Sequence, residues 1–269
     1  MNKTIFYWLL AIIITLSAAV YQRATGPTYE KKINFTYDGD LHNIKLIRSH
    51  SSTKPAPVVI NLSDNEITGK IFYKRYPSND DFTEVDLVRA GDNLETSLPN
   101  QSAAGKLEYY VTLSDVNTNE EILNSGPVVI RFKGDVPATV LIPHIFFMFF
   151  GMLFANLTGL LALGKKEKYK FYGIVTLIFI AIGGMTLGPV VQKFAFGELW
   201  TGVPFGWDLT DNKTLVAFIF WILAVVGNWK KDRPYLSILA ALVTLIIFSI
   251  PHSAFGSELD YSTGVIGQG

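Results

Sequence analysis

The chain has 269 residues, 49% hydrophobic and 17% charged, and its 23 Lys and Arg balance 23 Asp and Glu to a formal net charge of +0. That balance, with no basic run interleaved with aromatics, gives nucleic acid no electrostatic footprint, and nucleic acid is set aside as a partner. The absence of cysteine removes disulfides, Cys-ligated zinc, iron–sulfur clusters, thiol catalysis and covalent c-type haem attachment, so any cofactor must be held by His, Met, carboxylates or packing.

Charge is concentrated between residues 22 and 135, and the rest is mostly apolar runs broken by short Lys/Arg clusters, so the two regions face different solvents. The first run, Ile5–Val20, comes after Lys3 and ends among small residues. It has two readings, an uncleaved transmembrane anchor or a secretory signal peptide over residues 1–21. The anchor is favoured because no small-x-small site directly precedes a polar start. Either reading exports the charged region 22–135.

From residue 28 to 135 the pattern is short runs rich in Val, Ile, Tyr and Phe, bounded by Asn, Asp, Gly, Ser and Pro. Strands are predicted at Lys32–Tyr37, Asn43–Arg48, Ala56–Leu62, Thr68–Tyr73, Phe82–Arg89, Asn93–Ser97, Leu107–Thr112 and Val128–Phe132. This spacing predicts an all-β sandwich of immunoglobulin or fibronectin style. His42 and His50 fall here, and without a third ligand or a Cys they read as surface histidines rather than a copper site.

Four further apolar runs, Ala138–Leu163, Phe171–Val191, Thr214–Val226 and Leu236–Ile250, predict a four-helix transmembrane domain over residues 138–252. The linker 164–170 carries Lys165, Lys166, Lys168 and Lys170, and 228–233 carries Lys230, Lys231 and Arg233. Both are expected in the cytoplasm. The N-terminus then lies inside, while the β domain, the loop 194–212 and a tail over 253–269 lie outside, at the cell inner or plasma membrane. Within the helices, Gly183-Gly184 and Gly188 permit close helix approach, and Asn156 and Thr158 are expected to hydrogen-bond a neighbouring helix. Met148 and Met152, on the His144 face of their helix, read as packing, with an axial ligand or a sulfur contact as the alternative. In the tail, Glu258 and Asp260 read equally as a carboxylate pair for a cation or partner and as solvated acids.

The loop 194–212 combines Phe194, Phe196, Trp200, Phe205 and Trp207 with Gly197, Gly202, Pro204 and Gly206. An interfacial aromatic belt explains this composition, with Asp208 or Thr210 capping the next helix. The membrane domain has only two histidines, His144 and His252, each directly after a proline and each expected at the outer face. Polar groups at membrane depth mark function by default. Two imidazoles near an aromatic platform suit a haem b: His144 and His252 as axial ligands, Trp200, Phe205 and Trp207 around the ring, and Lys193, Lys213, Arg131 or Lys133 toward the propionates.

This order resembles the haem-handling membrane proteins of cytochrome c assembly. In that family a loop of the form W-G-x-x-W-x-W-D lies between two membrane helices and is flanked, two helices away on either side, by external histidines. Here Trp200 takes the place of the first tryptophan, Trp207-Asp208 that of the terminal pair, and His144 and His252 those of the axial ligands. Val203-Pro204-Phe205 stands where the central tryptophan would be, the spacing is longer, and an exported β domain is not a usual part of that family. The resemblance implies haem handling or electron transfer.

No nucleophile elbow, P-loop, HExxH or dinucleotide fingerprint occurs, so the sequence names no reaction, and the reading is of a protein that is not an enzyme by itself. The second functional expectation is a non-catalytic scaffold subunit of a membrane complex. Its exported β domain docks a partner protein, and its aromatic loop sits in the lipid headgroups.

Overall fold

Residues 3–251, 254 and 256–268 are described by the computed structural model, in which the chain divides into two units. One unit holds the apolar helices and comprises, among the described residues, those within 3–27 and 136–257 together with Gln268. The other is β-rich and comprises residues 28–135 and 258–267.

The β unit is built on its two longest strands, β5 (Ile67–Tyr76), which alternates over its first half, and β9 (Lys106–Asp115), which alternates as far as Leu113. They pair antiparallel over their whole lengths, Ile67 opposite Asp115 through Tyr76 opposite Lys106. Period-two alternation sends Ile71, Leu107, Tyr109, Val111 and Leu113 inward, where all are buried. With β3 (Ser49–Ser51), β6 (Thr83–Asp86), β10 (Glu121–Asn124) and β11 (Val128–Lys133) they form one sheet in the order β3-β11-β9-β5-β6, with β10 on β9.

A second sheet has the order β4-β8-β7, from β4 (Ala56–Asn61), β7 (Val88–Ala90) and β8 (Asn93–Leu98). Its inward residues Val58, Ile60, Leu94 and Leu98 share one apolar core with the first sheet. A hairpin of β1 (Lys31–Tyr37) and β2 (Asp40–Leu46) adds Phe35, Ile44 and Leu46 to it. The stretch predicted as a single strand at 82–89 is divided: β6 pairs with β5 and β7 with β8. The chain changes sheets at Leu87, whose N–H donates to the Gly69 carbonyl at 2.9 Å. Gly69 permits this approach, because a Cβ there would sit 2.7 Å from Leu113 and 2.9 Å from Leu87.

The tail read at 253–269 contains a hairpin, β12 (Ser257–Leu259) with β13 (Ile266–Gln268). Its residues 258–267 belong to the β unit. Glu258 pairs with Lys106, and the Tyr261 hydroxyl accepts the Lys106 N–H (3.0 Å) and donates to the Lys106 carbonyl (2.8 Å). Asp260 holds the turn through Ser262 and Thr263. Both acids therefore have local partners.

In the helical unit, α1 (Lys3–Ala24), α2 (Ala138–Leu163), the continuous run of α3 (Tyr169–Ile180), a π-turn (Ala181–Leu187) and α4 (Gly188–Phe196), and α5 (Leu209–Gly227) are long and apolar enough to cross a membrane. The apolar α6 (Pro234–Ser249) is shorter, at 16 residues. Buried polar groups are matched between helices, as an apolar solvent requires. Asn156 donates to Thr15 (2.9 Å), Trp221 to Thr244 (2.8 Å) and Tyr169 to Asn228 (2.8 Å). Thr158 bonds back to the Phe154 carbonyl of its own helix. Small residues set the closest approaches: a Cβ on Gly159 would lie 2.6 Å from Ala241, and one on Gly183 2.8 Å from Phe147.

Candidate functional site

Pro189 determines the local geometry around His144. It has no N–H to give the carbonyl four residues back, which disrupts the α-helical register. The preceding segment is the π-turn, with Gly183 and Gly184 buried in it. The Gly183 carbonyl accepts from Gly188 N–H five residues on. It also accepts from His144 Nδ1 at 2.9 Å. That bond fixes Nδ1 as the protonated nitrogen and leaves Nε2 with the lone pair in the neutral ring. Met148, one turn along α2, packs where Gly183 and Gly184 lack side chains. His252, the other predicted ligand, lies outside the described residues.

The aromatic loop is built by polar side chains at the start of α5. α4 ends at Gly197 in the left-handed region (φ 93°), its N–H donating to the Lys193 carbonyl. Asp208 caps α5, accepting from Thr210 and Asp211 N–H, and accepts from Ser257 Oγ at 3.1 Å. Asp211 turns back and takes the N–H groups of Thr201 (2.6 Å) and Gly202 (3.1 Å). Asn212 takes that of Val203 (2.8 Å). Gln192 of α4 donates to the Thr201 hydroxyl at 2.6 Å, and Trp200 Nε1 to the Val203 carbonyl at 3.1 Å. A Cβ on Gly202 would lie 2.7 Å from Asp211, and one on Gly206 2.4 Å from the Thr201 carbonyl, so both positions need glycine.

The structure thus gathers Trp200 and Asp208 into one braced loop, but it does not arrange the predicted walls as walls. Phe205 is 81% and Trp207 74% exposed. With the backbone folded under at Gly202 and Gly206, these side chains are left pointing outward. Lys213, expected beside a propionate, is only 4% exposed and donates to the carbonyls of Ile250 (2.9 Å) and Pro251 (3.4 Å) just past α6. Lys193 remains exposed near the end of α4. Asp211 and Asn212 were missed from the sequence, where the polar run Asp208–Lys213 reads as an ordinary capping segment.

A second missed feature lies on the outward face of β5 and β9. Phe72 and Tyr110, directly opposite in the register, stack with centroids 4.8 Å apart, and Phe82 meets Tyr110 edge-on at 5.2 Å. Lys74 lies over the Phe82 ring and near Glu108, and Lys70 pairs with Glu84. His42 stacks on Phe35 and His50 meets Phe132 edge-on. Among the described residues no group of three or more His, Asp or Glu is placed to hold a metal ion.

A UPF0132 membrane protein of Methanocaldococcus jannaschii is 30% identical to the chain over 84 residues, which is 30% of this chain and 67% of that protein. The chain belongs to the UPF0132 membrane protein family. No family profile and no solved structure matches it. This UPF0132 relative and the apolar helices together make the chain a membrane protein.

Proposed function

We propose that this membrane protein is a non-catalytic subunit or scaffold of a membrane complex, whose β unit docks a partner protein outside the cytoplasm. The observation that carries the reading is the outward aromatic stack of Phe72, Tyr110 and Phe82, rimmed by Lys70, Glu84, Lys74 and Glu108. An aromatic centre within a charged rim is the anatomy of protein interfaces. The sheet orders β3-β11-β9-β5-β6 and β4-β8-β7 support an immunoglobulin-like sandwich as its frame.

Two observations support the topology. The Lys-rich linkers 164–170 and 228–233 belong inside by the positive-inside bias. Residues 28–135 and 258–267 share one unit, so the chain between them crosses an even number of times. Four crossings, with α6 as the last, satisfy that parity. The outward Phe205 and Trp207 then sit at headgroup level, as interfacial aromatics do.

The test is a photo-crosslinker at position 82, with Val59, exposed on the other sheet, as the control position. A discrete adduct in native membranes from position 82 and none from 59 is expected. No adduct, or equal adducts from both, contradicts the docking face.

A second reading, haem b binding for haem handling or electron transfer, keeps one specific support: His144 is oriented by its Nδ1 bond with Nε2 left over, as axial histidines are. Its test is the oxidised and reduced optical spectrum of the purified protein beside His144→Ala and His252→Ala. A Soret band lost in either variant supports it. A protein that stays colourless after haem addition removes it.

A further inference from the structure

The end of the helical unit that carries the linkers 164–170 and 228–233 holds two adjoining clefts. One, of about 180 Å³, lies between α3 and α5, floored by Gly173, Ile174, Ala224 and Val225, with Trp229 and Lys170 among its lining residues. The other, of about 390 Å³, is the more polar of the two and is lined by Lys165, Glu167, Tyr169, Lys170, Asp232 and Pro234. Lys170 belongs to both. Trp229 is 76% exposed, the position of an indole at the headgroup level rather than of a core residue.

The two linkers place seven Lys and Arg at this end against two carboxylates, Glu167 and Asp232. The single ion pair among the described residues here, Lys170 with Asp232, is open to solvent on its acidic side. Such a pair holds its partners weakly.

We propose that these clefts form a binding site for an anionic phospholipid. Its phosphate takes the place of Asp232 at Lys170, with Lys165 beside it, and an acyl chain runs into the apolar cleft over Ile174 and Val225. An apolar slot beside a polar one, joined at one lysine, matches the two ends of a lipid, and a basic pocket between membrane helices selects an acidic headgroup. The polar side chains that also line the apolar cleft, Asn228 and Ser237, are buried and hydrogen-bonded to each other, which leaves its wall mostly aliphatic.

The proposal is tested by native mass spectrometry of the full chain in detergent with phosphatidylglycerol, phosphatidylcholine or inorganic phosphate. Phosphatidylglycerol is expected to be retained about tenfold better than phosphatidylcholine, and inorganic phosphate not to displace it. Lys170→Gln lowers retention about fivefold, Val225→Trp lowers it by filling the acyl cleft, and Asp232→Asn raises it by removing the competing carboxylate. Equal retention of the two lipids, or unchanged retention in Lys170→Gln and Asp232→Asn, both exposed-end substitutions that spare the helix packing, overturns the site. Displacement by inorganic phosphate alone overturns the lipid assignment in favour of a free anion.

Discussion

Asp211 decides whether the aromatic loop has one shape. Its carboxylate is the acceptor for two backbone N–H groups, those of Thr201 and Gly202, in a part-buried setting. Asp211→Ala leaves both donors without that partner and costs about 2 kcal/mol. The detergent-solubilised protein should then melt lower and exchange its Thr201–Gly206 amides faster, while Asp211→Asn, which keeps an acceptor oxygen, should lose less. At the other end of the chain, hydrogen bonds from the Ser262 hydroxyl and N–H, and from Thr263, hold the Asp260 carboxyl down at about 2. A carboxylate whose pKa is lowered on folding stabilises the fold above its ordinary value near 3.8, and that stabilisation disappears as pH falls through about 2. The melting difference between wild type and Asp260→Asn should therefore be full above pH about 5 and shrink toward zero near pH 2. The Arg75 guanidinium holds Asp80 down in the same sense, and the Tyr37 hydroxyl does so for Asp115. Acid should accordingly loosen the β unit.

Helix α2 is held against α6 by the missing side chain of Gly159, 2.6 Å from Ala241 once a Cβ is added. Gly159→Leu should force the two helices apart and lower the melting temperature of the helical unit. Val225→Leu, on the partly exposed side of α5, should not. The helices were readable from sequence because runs as apolar as 138–163 have few alternatives. β5 and β9 were readable because Ile67–Ile71 and Lys106–Leu113 alternate between buried and more exposed residues. β3, β10 and the hairpin of β12 and β13 were not. Each is three or four residues long, and their pairing is set by tertiary partners, as in the parallel register of Phe132 with His50. The break at Leu87 was hidden for a related reason, since a strand that changes sheets keeps its β character throughout. At the site, the composition of 194–212 marked it as unusual, but the direction of Phe205 and Trp207 depends on turns at Gly202 and Gly206 that composition does not orient.

At the scale of the molecule, one chain serves two solvents: a helical unit whose buried polar groups bond one another, and a β unit closed by a hairpin from the far terminus. The proposed topology requires that hairpin and the residues 28–135 to lie on one side of the membrane, opposite the Lys-rich linkers. Because the chain has no cysteine, single cysteines report position without background. The deciding measurement is labelling of Asn117→Cys, Thr263→Cys and Lys168→Cys, all at exposed positions, with a membrane-impermeant maleimide in intact cells. Positions 117 and 263 are expected to label in intact cells, and 168 only after permeabilisation. Labelling of 168 in intact cells, or of only one of 117 and 263, would contradict that topology.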